Sequence, residues 1–484
     1  MRNMTYPGED FDHAWRRLVF PAGYRNPTPK SRYDLVVIGA GPAGLVTSIA
    51  AAGLGARVAL IEPHAMGGDC LNVGCVPSKA LLAGASAGLG FDVAFARMRA
   101  IRATIARHDS VERYTGAGVD TFLGAASFED PHRVRVDGSI LQTCKTVIAT
   151  GARAAVPPVP GLRELPALTN ESVFDLKSQP RRLAILGAGP IGCEMAQAFA
   201  RLGTAVDLIE MQPRVLSADP DEAAARVAAA LESDGVRLHL AARVLAADRT
   251  PGGVRLELDG SAPIETDAVL AAAGRQRNVE GLGLERAGVR FDPKAGVAVD
   301  SRLRTSHPDI FAAGDVCSPH QFTHSADAQA RIVVRNSLFL GRARGDVLIP
   351  AWCTYTRPEV AHAGASRVDL DRAGTPYDRY RCDFGDLDRG KTDDGADGFA
   401  EVLTARGSDR VIGATIVGKD AGEQIAPILV MMSADIGLGA LGSLVLPYPT
   451  RSEYLRRIAD AWNRKRLTPR TQRLLGWWLA WSRR

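Results

Sequence analysis

The chain has 484 residues, of which 46% are hydrophobic and 23% charged, and its formal net charge is +5. This length suits roughly three domains, and the composition excludes a disordered chain, a collagen and a disulfide-stapled mini-protein. Residues 456–484 hold nine Lys/Arg and one Asp, which leaves the rest slightly acidic and argues against nucleic acid as a partner. No run of about 18 apolar residues is present to span a membrane. The start, Met1 to Asp10, lacks the apolar core of a secretory signal, so the expected location is cytoplasmic. The seven cysteines should then mostly be thiols.

In chain order, residues 1–31 read as an N-terminal arm containing Pro7, Pro21, Pro27 and Pro29. Residues 34–62 then read DLVVIGAGPAGLVTSIAAAGLGARVALIE, and 182–210 read RLAILGAGPIGCEMAQAFARLGTAVDLIE, at a constant offset of 148. Gly39, Gly41, Gly44 and Glu62 map onto Gly187, Gly189, Gly192 and Glu210. Each copy predicts a short apolar strand (Leu35–Ile38, Leu183–Leu186), a glycine turn, a helix, and a second strand (Val58–Ile61, Val206–Ile209) ending in glutamate. That is a dinucleotide-binding fingerprint in context: a tight turn, close backbone approach to pyrophosphate, helix–strand packing, and a carboxylate for ribose. Two in-register copies imply two dinucleotides.

Val156-Pro157-Pro158-Val159-Pro160-Gly161 reads as a linker between them. Ala268–Ala273 predicts a strand ending in Gly274-Arg275, and Ile310 to Asp315 a strand ending at a carboxylate. From about 348, short alternating runs predict an α+β domain. The expected fold is α/β, with two Rossmann-like dinucleotide-binding domains and a C-terminal α+β domain. Its divisions are 1–31 (arm), 32–160 (first part of the first dinucleotide-binding domain), 161–276 (second dinucleotide-binding domain), 277–346 (second part of the first, central domain), 347–462 (C-terminal α+β domain) and 463–484 (basic amphipathic tail).

Cys70 and Cys75 lie in GGDCLNVGCVPSKALL, directly after the first fingerprint. In a continuous helix an i, i+5 pair rises about 7.5 Å, beyond comfortable disulfide reach; Asn72 and Gly74 relax the backbone enough to close it. The alternative is two unlinked loop cysteines. A nicotinamide delivers a hydride and a disulfide takes two electrons, so a flavin between them completes the chemistry. FAD in one fold and NADH or NADPH in the other follow.

These motifs, with ATGA at 149–152, AAGR at 272–275 and AAGD at 312–315 in the same order, resemble the FAD-dependent pyridine-nucleotide disulfide oxidoreductases over about residues 32–460. Members include dihydrolipoamide dehydrogenase, glutathione reductase and mercuric reductase. The resemblance implies a homodimer, with FAD in the domain built from 32–160 and 277–346, NAD(P) in 161–276, and 347–462 as the dimerisation domain. It places Glu62 at the FAD ribose, Gly39, Gly41 and Gly44 at its pyrophosphate, and Asp315 along its ribityl or phosphate region. Gly68, Thr150, Gly151 and Gly274 complete the cofactor-binding set with Gly187, Gly189, Gly192 and Glu210. Cys75 is the implied flavin-side thiol and Cys70 the substrate-side thiol, with Lys79 and Glu194 as the ion pair beside the flavin. Glu210 favours NADH by repelling a 2′-phosphate, although nearby Arg214 softens that preference.

Members that reduce disulfides carry His-Pro-x-x-x-Glu near the C-terminus. Here Tyr448 stands at the histidine position, while Pro449, Thr450 and Glu453 match. Tyrosine titrates near 10 rather than near 6.5, so Tyr448 is expected as proton donor rather than base, or merely to pack. The expected function is an NADH-dependent disulfide reductase acting on a small disulfide or other oxidised sulfur compound. The alternative is Hg(II) reduction, which the Pro-Tyr segment favours and the absence of cysteine after Cys382 disfavours. Cys144, Cys193, Cys317, Cys353 and Cys382 are expected to be structural, and no metal site is expected.

In the tail, Leu474, Trp477, Trp478 and Trp481 follow i, i+3, i+4, i+7 spacing with Arg470, Arg473, Arg483 and Arg484 around them. This face is expected to dock on the chain's own body or its dimer partner, with peripheral membrane contact as the alternative.

Overall fold

The computed structural model describes residues 10–393 and 395–483, so Pro7 of the arm and Arg484 of the tail lie outside the described residues. The chain divides into two compact units. One joins the residues up to Pro213 with Asp234–Leu348, and the other joins Arg214–Ser233 with Ile349 onward.

The first unit opens with helix α1 (Phe11–Val19), where the Asp10 side chain accepts a bond from the His13 amide. From Asp10 onward the arm is therefore structured. Val19 is fully buried, and Tyr24 and Asn26 bond the carbonyls of Thr121 and Leu123. Next come β1 (Tyr33–Ile38), α2 (Pro42–Gly53) and β2 (Val58–Glu62). Helices α3 (Gly68–Asn72), α4 (Cys75–Ser86), α5 (Phe91–Ala106) and α6 (Val111–Gly116) lead to β3 (Val119–Leu123). An antiparallel run of β4 (Ala126–Asp130), β5 (Arg133–Val136) and β6 (Ser139–Ile148) follows.

Strands β3, β2, β1 and β6 pair in parallel in that order. Leu35 and Val37 enter one hydrophobic core, whereas Val36 and Ile38 enter the other. Burial on both faces explains why β1 reads as an unbroken apolar run, and each such side chain stabilises the fold by about 1.5–3 kcal/mol.

After β7 (Ala152–Ala154), the second repeat forms β8 (Arg182–Leu186), α7 (Pro190–Arg201) and β9 (Ala205–Glu210). Helix α8 (Asp221–Ser233) belongs to the second unit. With β10 (Arg237–Leu240) and, after a meander of β11 (Val244–Thr250), β12 (Gly253–Leu258) and β13 (Ile264–Thr266), strand β14 (Ala268–Ala271), the order is β10-β9-β8-β14, all parallel. The Pro-rich stretch packs Val156 and Val159 on the core of that meander. A Cβ at Gly161, whose φ is 78°, would stand 2.0 Å from the Ala247 carbonyl oxygen.

Strand β15 (Arg275–Arg277) pairs with β7. A short hairpin, β16 (Phe291–Asp292) and β17 (Gly296–Val297), precedes β18 (Ile310–Ala312), which returns to the first sheet beside β6. Helix α9 (Thr323–Leu338) completes the unit.

The second unit is built on one antiparallel sheet. Its strands β19 (Ala351–Thr354), β20 (Glu359–Gly364), β21 (Tyr377–Asp383), β22 (Phe399–Ala405) and β23 (Val411–Gly418) lie in the order β19-β20-β23-β22-β21. Helices α10 (Arg367–Arg372), α11 (Asp388–Thr392), α12 (Ala421–Gln424), α13 (Ala426–Ser433) and α14 (Tyr454–Arg466) surround it, and α15 (Pro469–Ser482) ends the chain.

Candidate active site

The two fingerprints have the same internal logic. A Cβ at Gly39 would lie 2.3 Å from the Ala149 carbonyl oxygen, and one at Gly44 would lie 1.8 Å from that of Gly39. In the second copy, Gly187 meets the Ala272 oxygen at 2.7 Å and Gly192 the Gly187 oxygen at 1.9 Å. The first and third glycines are thus demanded by the chain itself. The middle ones are not: a Cβ at Gly41 meets nothing nearer than 3.8 Å, and at Gly189 nothing within 4 Å. Both have ordinary negative φ and start helices without a side-chain cap. The space a side chain would fill, together with the uncapped amides, suits a phosphate group. FAD and a nicotinamide dinucleotide fit these cradles.

The acidic ends also correspond. Glu62 accepts from the amides of Ala40 (2.7 Å) and His64 (2.9 Å); Glu210 accepts from Ala188 (2.7 Å) and Gln212 (2.9 Å). Glu62 is buried, which pushes its carboxyl pKa upward despite those bonds. Arg214 is occupied within its own segment, by the carbonyls of Ser217 (2.8 Å) and Asp219 (2.7 Å) and the carboxylate of Asp221 (3.1 Å).

Between Cys70 and Cys75 the helix breaks. Helix α3 stops at Asn72, Val73 and Gly74 leave helical geometry, and α4 starts at Cys75. A Cβ at Gly74 would come 2.8 Å from the Asp69 carbonyl oxygen. The break removes the helical rise that would separate the sulfurs. Both are thiols here, and the Cys70 thiol donates a hydrogen bond to Cys75.

That bond makes the pair unequal. Cys75 is pulled down to about 6, first by the Cys70 bond and further by Thr323 and the Lys79 ammonium, against the opposing effect of burial. Cys70 is pushed well above the ordinary thiol range by the same bond and by burial. At neutral pH Cys75 is the thiolate and Cys70 the neutral thiol. Lys79 Nζ lies 2.8 Å from Glu194 Oε2, whose carboxylate is buried on α7.

Several residues at this site were not singled out in the sequence. Thr323 Oγ1, at the start of α9, lies 3.4 Å from Cys75 Sγ. Arg275 of the AAGR motif joins three segments: it bonds the Asp69 carboxylate beside Cys70 and the Ala152 carbonyl (2.6 Å), and faces Asp315 at 3.5 Å. Burial raises the Asp315 carboxyl, while Arg275 opposes this. Thr150 Oγ1 donates to the Asn278 carbonyl at 2.7 Å, Gly151 has a φ of 67°, and Gly274 one of 121°. Gly68, with a φ of 57°, packs against Gly41 closely enough to exclude a Cβ.

The arm reaches the same site. Trp15 Nε1 donates to Asn72 Oδ1 at 2.8 Å, and Asn72 Nδ2 donates to the Gly68 carbonyl at 2.8 Å. Buried Arg102 donates to the Asn72 carbonyl, pairs with Asp12 at 2.8 Å, and covers the Trp15 ring at 4.1 Å. The turn carrying both cysteines is therefore braced from α1 and α5.

In the second unit Tyr448 is 69% exposed, and its hydroxyl donates to the Asp388 carboxylate, which raises the phenol pKa. Glu453 does not join it. Its buried carboxylate pairs with Arg457 at 2.9 Å, and Oε2 has no hydrogen-bond partner among the described residues. Cys382 is buried and Cys353 half-buried.

The family model for pyridine nucleotide-disulphide oxidoreductases matches residues 33–330, and the model for their dimerisation domain matches 350–459. The dihydrolipoyl dehydrogenase of Thermus scotoductus is 32% identical over 456 residues, covering 89% of this chain and 97% of that protein. The mercuric reductase of Streptomyces lividans is 31% identical, covering 88% and 96%. Among solved structures, the HOCl-induced flavoprotein disulfide reductase RclA from Escherichia coli superposes with a TM-score of 0.82 at 28% identity, over 88% of this chain and 99% of that one. The chain belongs to the pyridine nucleotide-disulphide oxidoreductases, FAD-dependent enzymes that use pyridine nucleotides and act on sulfur groups.

Proposed function

We propose that the protein is a cytoplasmic, homodimeric NADH-dependent reductase of a small disulfide or related oxidised sulfur compound, with Cys70–Cys75 as its redox centre. The helix break that sets Cys70 and Cys75 side by side, next to Thr323 and the Lys79–Glu194 pair, carries this reading. The chemistry supplied by bound FAD is acceptance of a hydride from NADH and delivery of its two electrons to sulfur. Lys79, fixed by Glu194, lowers the Cys75 pKa and would stabilise negative charge on bound FAD.

Cys70, giving up its proton to the departing sulfur as it attacks, forms a mixed disulfide with the acceptor and releases the first product thiol. The Cys75 thiolate then attacks Cys70, closing the Cys70–Cys75 disulfide and releasing the second. Tyr448 of the partner subunit, hydrogen-bonded to its own Asp388, is assigned as proton donor to a leaving sulfur. The carboxylate of Glu210 and the prior engagement of Arg214 support NADH over NADPH.

The test is anaerobic NADH oxidation by FAD-loaded protein with small disulfides and with thiol-complexed Hg(II), comparing the parent with Cys70→Ser. Disulfide turnover that disappears in the variant, while NADH still reduces the flavin, is expected. Turnover with Hg(II) alone would replace this reading with metal reduction, and higher kcat/KM with NADPH would overturn the nucleotide assignment.

A further inference from the structure

We propose that α15 is a lipid-surface anchor that seats the enzyme on membranes rich in anionic phospholipid. The helix has a self-contained start, with Thr468 accepting from the Thr471 amide at 3.2 Å and Pro469 in its first turn. None of its residues is buried. Leu474 is 68% exposed, Trp477 71%, Trp478 56% and Trp481 58%, so the expected docking on the chain's own body does not occur among the described residues.

Residues 474–481 read Leu-Leu-Gly-Trp-Trp-Leu-Ala-Trp, with no charged or hydroxyl-bearing side chain. At about 100° per residue, their six large apolar side chains cover more than half of the helix circumference. A helix that docks on a protein face needs a stripe of only about 100°. A belt this broad suits a medium that wraps around it. Tryptophan adds a ring that is apolar in body and polar at its N–H, the combination favoured at the level of lipid headgroups.

Charge identifies the medium. Arg464, Arg466, Arg470, Arg473 and Arg483 flank the belt, no carboxylate side chain follows Asp460, and none of these five arginines pairs with a carboxylate among the described residues. A cationic rim beside an apolar belt complements anionic headgroups over acyl chains. With 14 residues the helix is about 21 Å long, short of the roughly 30 Å hydrocarbon core, and no helix among the described residues is long and apolar enough to cross a membrane. It therefore lies along one leaflet. The dimerisation match ends at residue 459, so this surface lies beyond the segment assigned to pairing two copies.

The experiment is co-sedimentation of FAD-loaded full-length protein with vesicles of phosphatidylglycerol plus phosphatidylcholine, and with phosphatidylcholine alone. Sedimentation velocity without lipid runs in parallel. Binding to the anionic vesicles with a blue-shifted tryptophan emission is expected. Replacing Trp477, Trp478 and Trp481 together by Ala should weaken it by several hundred-fold, on the order expected for half-burying three aromatic side chains. Replacing Arg470, Arg473 and Arg483 by Gln should weaken it by on the order of 100-fold, about fivefold per cation. Equal sedimentation of parent and Trp variant, or of parent on both vesicle types, overturns the proposal. So does an oligomer that needs the three tryptophans and forms without lipid binding, which would assign the belt to a second copy.

Discussion

The sharpest consequence of the site is the pKa of Cys75. It sits at about 6, and its largest lowering influence is the hydrogen bond from Cys70. At pH 7 about nine-tenths of Cys75 is then thiolate, against about 3% for an ordinary thiol near 8.5. Cys70→Ala deletes that bond but keeps Thr323 and Lys79, so the midpoint should rise by at least about 1 unit without reaching the ordinary value. Cys70→Ser keeps a hydroxyl donor and should fall between parent and Ala variant. The assay is the pH dependence of iodoacetamide alkylation of Cys75 in the anaerobically reduced, FAD-loaded protein, followed on the Cys75 peptide by mass spectrometry. The midpoint is the readout, because a single-pH rate misleads. A higher-pKa thiolate is intrinsically more nucleophilic, with a Brønsted slope of about 0.4–0.5. That gain offsets much of the loss in thiolate fraction. An Ala variant that still titrates near 6 refutes the assignment and transfers the effect to Lys79 and Thr323.

Three further outcomes follow from the geometry. Gly41→Ala should fold with the parent's Tm yet bind FAD at least about tenfold more weakly, a loss of about 1.4 kcal/mol, whereas Gly44→Ala should lower Tm by itself because its Cβ meets the Gly39 oxygen at 1.8 Å; flavin-fluorescence titration and thermal melts separate the two, and normal FAD affinity in Gly41→Ala removes the phosphate argument. Tyr448→Phe should slow acceptor turnover by at least about 100-fold without slowing flavin reduction by NADH, and Asp388→Asn should move the basic limb of the acceptor pH–rate profile downward, because Asp388 raises the phenol pKa; an unmoved limb separates the two residues. Asp219, buried and bonded to Trp352 Nε1 at 2.9 Å, has its carboxyl pushed up to about 6. Its raised pKa makes the fold most stable below the unfolded carboxyl value and costs up to about 3 kcal/mol once pH rises through 6. Asp219→Asn should therefore raise Tm at pH 8 and leave it nearly unchanged at pH 4, and equal gains at both would contradict this.

The repeat was readable because both fingerprints put the same chemistry in the same local register, and such signals need no tertiary contact. The separate roles of the three glycines came with the fingerprint, but the group that constrains Gly39, the Ala149 carbonyl over a hundred residues away, did not. Arg275 and Asp69 meet across 206 positions, so AAGR marked the end of a strand without signalling an ion pair to the redox helix. The arm was read only as a proline-containing segment, although Asp10 as cap and Phe11, Trp15, Leu18 and Val19 at helical spacing carried the pattern of α1. Likewise Tyr448 and Glu453 were read as one motif, although the phenol turns to Asp388, 60 positions earlier.

The proton inventory of the proposed cycle explains why a tyrosine serves where a histidine is usual. Reduction of a disulfide to two thiols consumes two protons, and the reduced pair carries one, on Cys70. The missing proton must come from outside the pair. A phenol held above its ordinary pKa by Asp388 is protonated throughout the neutral range, so it can give that proton at every turnover. Oxidation of a dithiol runs the other way and needs a group that takes protons near pH 7, which histidine does and this phenol does not. On the proposed cycle, tyrosine at 448 would favour one direction of electron flow, from nucleotide to acceptor. It also predicts that dihydrolipoamide oxidation by this enzyme rises with pH well beyond 8, where solvent hydroxide begins to remove thiol protons, rather than levelling off near neutrality.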